Sequence, residues 1–288
     1  MKRRGFTLQE LLIALILAGI VGTLLVKTLT SMQRTTGSQA ARVDAAEAAR
    51  AATYYISSVL REVDASEGDF ITANATTLRY RAPRWTGISC TGVTTSGANL
   101  LVTLKKSQIF SFRDPSPTLD SLLVFDDVTT SSRSDDVWLY AKLVDTVTAA
   151  CPDASAGLQL TLIIAAASGG NTAATSGFTL GSPIRGFQEE ELSLYNDGVG
   201  NYWLGQSAMS LAGTWTAVAQ IAGPLTSNGV SFAFYDTLNS AAATNAAIAS
   251  VGLTVRSQSQ KLARGNSGNT NLRDSIITRV ALRNNKRF

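Results

Sequence analysis

Hydrophobic and polar positions fall into three textures along the chain. Lys2-Arg3-Arg4 and Gly5-Phe6-Thr7-Leu8-Gln9-Glu10 precede sixteen residues without a charge, Leu11 to Val26, closed by Lys27. As helix that run measures roughly 24 Å, short of the roughly 30 Å hydrocarbon core of a bilayer. Counted from Phe6 the stretch is 21 residues, or roughly 31 Å, so it spans only if Glu10 enters the membrane with it. Next comes an alanine-rich stretch, Ser38 to Glu67, free of Gly and Pro. Within it Ile56, Val59, Leu60 and Val63 repeat at i, i+3, i+4 and i+7. Together these predict one helix from about Phe6 to about Asp64, on the order of 80–90 Å long. Its second half is expected to pack that stripe onto a head.

From Ala65 the texture turns to Thr, Ser, Gly and β-branched residues, with short, partly alternating runs between turn signals. Strands are predicted at 77–81, 100–104, 108–112, 121–125, 136–144, 158–165, 190–195, 201–204, 230–235, 251–255 and 276–282. The segment Tyr195 to Tyr202 reads as a hairpin turn in which Asn, Asp and Gly supply positive φ. Ser168–Gly177 and Ala263–Asn271 read as exposed loops. The class expected is α+β: a long N-terminal helix, transmembrane over its first part, packed on an antiparallel, β-rich head.

Composition narrows the chemistry. At 288 residues, 45% hydrophobic and 16% charged, the chain can build a large core. It has no histidine and two cysteines. A Ser-His-Asp triad, a Cys-His pair, a histidine zinc site and a four-thiolate cluster are therefore impossible within it. With no recognisable nucleophile motif either, the chain does not read as an enzyme, and an enzyme anchored by the stem is the weaker rival.

Three readings compete for the N-terminus. A secretory signal peptide has the basic leader and apolar core, but no small-x-small site follows Val26 promptly. A signal anchor, with the leader held in the cytoplasm, explains everything but Glu10. The third takes Gly5-Phe6 as a processing site on the cytoplasmic side of an apolar segment that is kept. Gly5-Phe6-Thr7-Leu8-Gln9-Glu10 before an apolar run resembles the class III signal of type IV pilins and type II secretion pseudopilins. That resemblance implies removal of leader 1–5 by a prepilin peptidase, N-methylation of Phe6, and an assembly role for Glu10. It implies a stem at 6–64, transmembrane over 6–26, and an extracytoplasmic head at 65–288. A new amine at Phe6, largely cationic near neutral pH, would pair with Glu10 of an incoming subunit, acting on register. The size of the head, and Gly229–Asp236, Val251–Val255 and Val280–Asn284, look like W-type minor pilins and J-type minor pseudopilins. The implied function is a minor subunit of a type IV pilus or a type II secretion pseudopilus, placed near the filament tip in initiation. Its partners would be other pilins or pseudopilins and an inner-membrane assembly platform. The stem lacks the proline that many major pilins carry there.

Cys90 and Cys151 read either as buried thiols or, given a head outside the cytoplasm, as a disulfide. Asp126-Asp127, Asp135-Asp136 and Asp197 sit in turn-like segments without regular calcium spacing, so they read as solvated turn residues and no cofactor is expected. Glu189-Glu190-Glu191 reads as a charged strand edge. Without Lys2, Arg3 and Arg4 the net charge is +1, yet residues 256–288 hold Arg256, Lys261, Arg264, Arg273, Arg279, Arg283, Lys286 and Arg287 against Asp274 alone. This basic segment reads as a DNA contact in an uptake pilus, as a contact to an acidic subunit, or as a solvated edge.

Overall fold

The structure is a computed structural model and describes residues 8–97, 99–127, 137–164, 178–265 and 268–282. A single helix, α1 (Leu8–Glu62), runs for 55 residues, or roughly 80 Å. The expected stripe is buried through Ile56, Leu60 and Val63, and it extends toward the N-terminus through Ala41, Ala45, Ala48, Ala49 and Ala52. The alanines are thus a docking face as well as good helix formers. Their small side chains let the sheet approach closely enough for Ser257 Oγ to donate to the Ala45 carbonyl at 2.6 Å.

The strands are β1 (Phe70–Ala73), β2 (Thr77–Ile88), β3 (Thr94–Ser96), β4 (Asn99–Lys105), β5 (Phe110–Ser111), β6 (Ser121–Asp126), β7 (Val137–Ala150) and β8 (Ala156–Ile164). After them come β9 (Pro183–Asn196), β10 (Tyr202–Ala208), β11 (Ala219–Tyr235), β12 (Ser250–Gln258), β13 (Ala263–Gly265), β14 (Gly268–Thr270) and β15 (Arg273–Ala281). Among the described residues, thirteen strands form one sheet in the order β15-β12-β11-β10-β9-β6-β7-β8-β4-β3, with β2, β1 and β5 branching from β9. The pairings are antiparallel. Helix plus antiparallel sheet makes the class α+β.

Two cores share the two strands β2 and β9. The first lies between α1 and β1, β2, β9, β10, β11, β12 and β15, centred on Ile56, Leu60, Leu78, Leu192, Leu204 and Leu253. The second gathers Trp85, Leu104, Leu122, Leu143, Leu160, Leu162 and Ile184. The described residues between 89 and 182 form that second lobe as an insertion in the β2–β9 ladder, whose register runs from Thr77↔Ser193 to Ile88↔Pro183. The lobe closes on itself, because Ser89 just past β2 bridges to Leu104 of β4. A register shift between Pro83 and Trp85 puts one extra residue into β2, so odd-numbered Trp85 comes to the face already held by Leu78, Tyr80 and Ala82. The two cores thus follow one another along one face of the ladder, Leu78, Tyr80 and Ala82 in the first and Trp85 in the second.

Several expected boundaries move. The strand expected at 108–112 is only Phe110–Ser111, preceded by a 3₁₀ turn at Lys106–Gln108. The loop expected at Ala263–Asn271 contains the β13–β14 hairpin, while Ser168–Gly177 lies outside the described residues. In the β9–β10 turn the positive φ falls on Gly198 and Gly200. Asn196 and Asp197 contribute differently, accepting from the amides of Gly198, Val199 and Asn201.

Candidate functional site

The first buried residue of α1 is Ala41. Everything from Leu8 to Gly37 stands exposed, including Leu11, Leu12, Ile13, Leu15, Ile16, Leu17, Ile20 and Val21, each more than half accessible. By length and composition this helix is able to cross a membrane. Glu10 lies in its first turn, and Lys27 and Arg34 are the next charges. Four threonine hydroxyls along the projection are satisfied within the helix. Thr23 donates to Ile20 O at 2.8 Å, Thr28 to Leu24 O at 2.8 Å, Thr30 to Val26 O at 2.9 Å and Thr35 to Ser31 O at 3.0 Å. An apolar surrounding leaves no water for such groups, so internal bonds are what it requires. Gly5 and Phe6 lie outside the described residues.

Cys90 and Cys151 form a disulfide with Cα atoms 5.7 Å apart. It links the end of β2 to the β7–β8 turn, so it staples the inserted lobe where that lobe leaves the shared ladder.

The basic segment is spread over several elements. By register Arg256, Arg273 and Arg279 share the outer face of the β12–β15 ladder, since Arg256 pairs with Ser275, Gln258 with Arg273 and Gly252 with Arg279. Arg279 is held down: its guanidinium lies 4.1 Å from the Tyr235 ring centroid, and it donates to Ser250 Oγ at 2.8 Å and to Asn239 Oδ1. Arg256 donates to Asn228 O at 3.1 Å. Lys261 is exposed beyond β12, and Arg264 falls in β13. Arg283, Lys286 and Arg287 are outside the described residues.

The glutamate run is not an edge. Glu189, Glu190 and Glu191 lie in β9, the strand flanked by β2, β6 and β10, opposite Arg81, Tyr80 and Arg79. Glu190 is 5% exposed, ion-paired with Arg84, and accepts from Tyr80 Oη at 2.6 Å and Gln206 Nε2 at 2.5 Å. Tyr55 of α1 joins by donating to Gln206 Oε1 at 2.6 Å. Burial pushes the Tyr80 phenol well up and the Arg84 guanidinium down. Nearby Asp120, fully buried, pairs with Arg113 and accepts from Trp85 Nε1 at 3.0 Å. On the other face Arg185 stacks on Trp138, Arg81 on Phe187, and Arg79 on Trp215. This belt joins helix, ladder and inserted lobe. The alternation Arg79-Tyr80-Arg81 against Glu189-Glu190-Glu191 was its one trace in the sequence.

Other carboxylates also differ from expectation. Asp126 ends β6 and is buried, not solvated. Asp197 does sit in its turn as expected, half-buried, where hydrogen bonds, first that from Asn201, hold it down at about 2. Asp135 and Asp136 lie outside the described residues. Among the described residues no group of three or more Cys, Asp and Glu is arranged to hold a metal ion. No protein-family model, curated protein or solved structure matches the chain.

Proposed function

We propose that this chain is a minor structural subunit of a type IV pilus or a type II secretion pseudopilus, processed after Gly5 and assembled through α1. The observation that carries the reading is the projecting half of that helix, exposed on every side and apolar all round from Leu11 to Val26, with four threonine hydroxyls satisfied internally and a single acid, Glu10, in its first turn. A helix exposed on every side in this way needs lipid or other helices around it. Before assembly it waits in the inner membrane, its N-terminus cytoplasmic and its disulfide-bearing head periplasmic. In the filament the Phe6 amine of one subunit meets Glu10 of another, and the role is structural, not catalytic.

Intact-mass measurement after co-expression with a prepilin peptidase tests the first step. The expected product starts at N-methylated Phe6, and a product still starting at Met1 with active peptidase present refutes the reading. Glu10→Ala is expected to be cleaved and membrane-inserted normally yet lost from sheared filaments. Its recovery at the wild-type level would remove the assembly role.

A further inference from the structure

The sheet ends in a strand whose outer edge pairs with no described strand. β15 pairs with β12 alone, through nine consecutive partners from Ser250↔Ala281 to Gln258↔Arg273 with no register shift. Protected edges ordinarily carry a bulge, a proline or a central charge. β15 has neither bulge nor proline, and its charges, Arg273, Asp274 and Arg279, sit toward its ends. Its centre reads Ser275-Ile276-Ile277-Thr278, with Ile277 79% exposed on the outer face. Arg279, folded down onto Tyr235, does not guard the opening.

Ile276, on the opposite face, lines a groove of about 520 Å³ whose other wall is the flank of α1: Arg50, Thr53, Tyr54, Ser57 and Arg61. Tyr54 is 78% exposed there. A strand added to β15 would place alternate side chains in this groove and the rest beside Arg256, Arg273 and Ile277. The outer side is cationic, with Arg256, Arg273 and Arg279 and no described acid on that face of β12 and β15. The groove side balances Arg50 and Arg61 against Glu62 and Asp274, so the acidic residues of the added strand face outward and its apolar ones enter the groove.

The geometry points to this edge as a docking site for an extended, acidic segment of a different protein, taken up as an extra antiparallel or parallel strand. Charge complementarity selects the occupant. A second copy of this chain does not supply it, because its own acidic strand, Glu189–Glu191, is locked in the middle of the sheet. The inference goes beyond the filament reading and does not depend on it.

Hydrogen exchange with mass-spectrometric readout on the full chain in detergent micelles tests it, using a nine-residue peptide of alternating glutamate and valine as the probe. We expect amides within Arg273–Ala281 to exchange readily in the protein alone and to be protected by this peptide. The lysine–valine counterpart should bind at least tenfold more weakly, and a glutamate–valine peptide N-methylated on two adjacent central residues should give no protection. Ile277→Glu, at a position open to solvent, should weaken the glutamate peptide at least tenfold with unchanged melting temperature. Slow exchange before any peptide is added, absence of protection, equal binding of the lysine peptide, or equal binding of the N-methylated peptide would each overturn the inference.

Discussion

Glu190 offers the sharpest test of the belt that joins the two cores. Glu190→Gln keeps the size and one acceptor but removes the charge, and it turns an amide toward Arg84, a donor facing donors. Arg84 is left partly buried, its side chain 25% exposed, without its counter-charge. Removing one partner of a buried pair costs about 3–5 kcal/mol, and the residual exposure of Arg84 places this case near about 3 kcal/mol. For a domain of this size that lowers the melting temperature by roughly 6–12 °C. Glu189 is the internal control. It is one residue away and also pairs with an arginine, but that pair is 29% and 21% exposed, so Glu189→Gln should cost no more than about 1 kcal/mol. Thermal unfolding followed by circular dichroism separates the two. Adding Arg84→Met to Glu190→Gln should recover part of the loss, since the stranded charge goes with it. Equal melting temperatures for the two glutamine variants would refute the assignment of Glu190 as the buried member.

Asp69 gives a pH signature. Burial raises its carboxyl from 3.8 to about 6, against the lowering contributions of the Asp64 amide and Arg185. The folded state therefore holds a proton that the unfolded chain releases, and stability falls as pH rises from about 4 to above 6, by up to about 3 kcal/mol. Asp69→Asn should abolish this component; a wild-type-minus-variant difference in urea midpoint that is flat across pH 4–7 would contradict it. Gly186→Ala sets a Cβ 2.1 Å from Trp85 Cε2 and should cost about 1–3 kcal/mol by overpacking. It should also shift tryptophan emission as Trp85 leaves Asp120. Reducing the disulfide, whose cysteines are 61 residues apart, should destabilise the inserted lobe by about 4 kcal/mol in the chain-entropy model. A denaturant midpoint unmoved by reductant would argue that the loop stays closed without the bond.

The stem was legible because a helix reports itself locally. Alanine propensity, the i, i+3, i+4, i+7 stripe at Ile56–Val63 and the charge-free run from Leu11 all lie within a few turns of the residues they describe. Many of the strands were legible for the same reason, as short alternating runs, but β1, β3, β13, β14 and the first part of β11 were not. What was hidden is non-local. Nothing in residues 89–182 marks them as an insertion, because their strands resemble those of the first core. Only the pairing of Thr77–Ile88 with Pro183–Ser193 reveals it. Glu189-Glu190-Glu191 misled because charge usually marks solvent. A strand paired on both sides can still carry three acids when its neighbour presents Arg79, Tyr80, Arg81 and Arg84. The alanine face from Ala41 to Ala52 showed the opposite ambiguity, since propensity alone already accounts for those residues.

In the proposed reading, the magnitudes also bound what Glu10 can and cannot decide. Fourteen large apolar side chains between Leu8 and Met32 are each more than half exposed. At about 1.5–3 kcal/mol for each side chain fully removed from water, surrounding this segment with lipid or neighbouring helices is worth on the order of 20 kcal/mol. A carboxylate near the membrane costs about 2.5–3.5 kcal/mol at the bilayer centre and less toward an edge, and Glu10 sits in the first turn. The apolar term is several times larger, so in the proposed reading the acid does not decide insertion. The acid matters where the apolar term is indifferent. A smooth, greasy helix can slide against its neighbours with little change in buried area, whereas a carboxylate leaving one aqueous edge for a crowd of helices is stabilised only opposite a positive charge. On the proposed filament reading, selection among registers, not retention in the membrane, is the work left to Glu10.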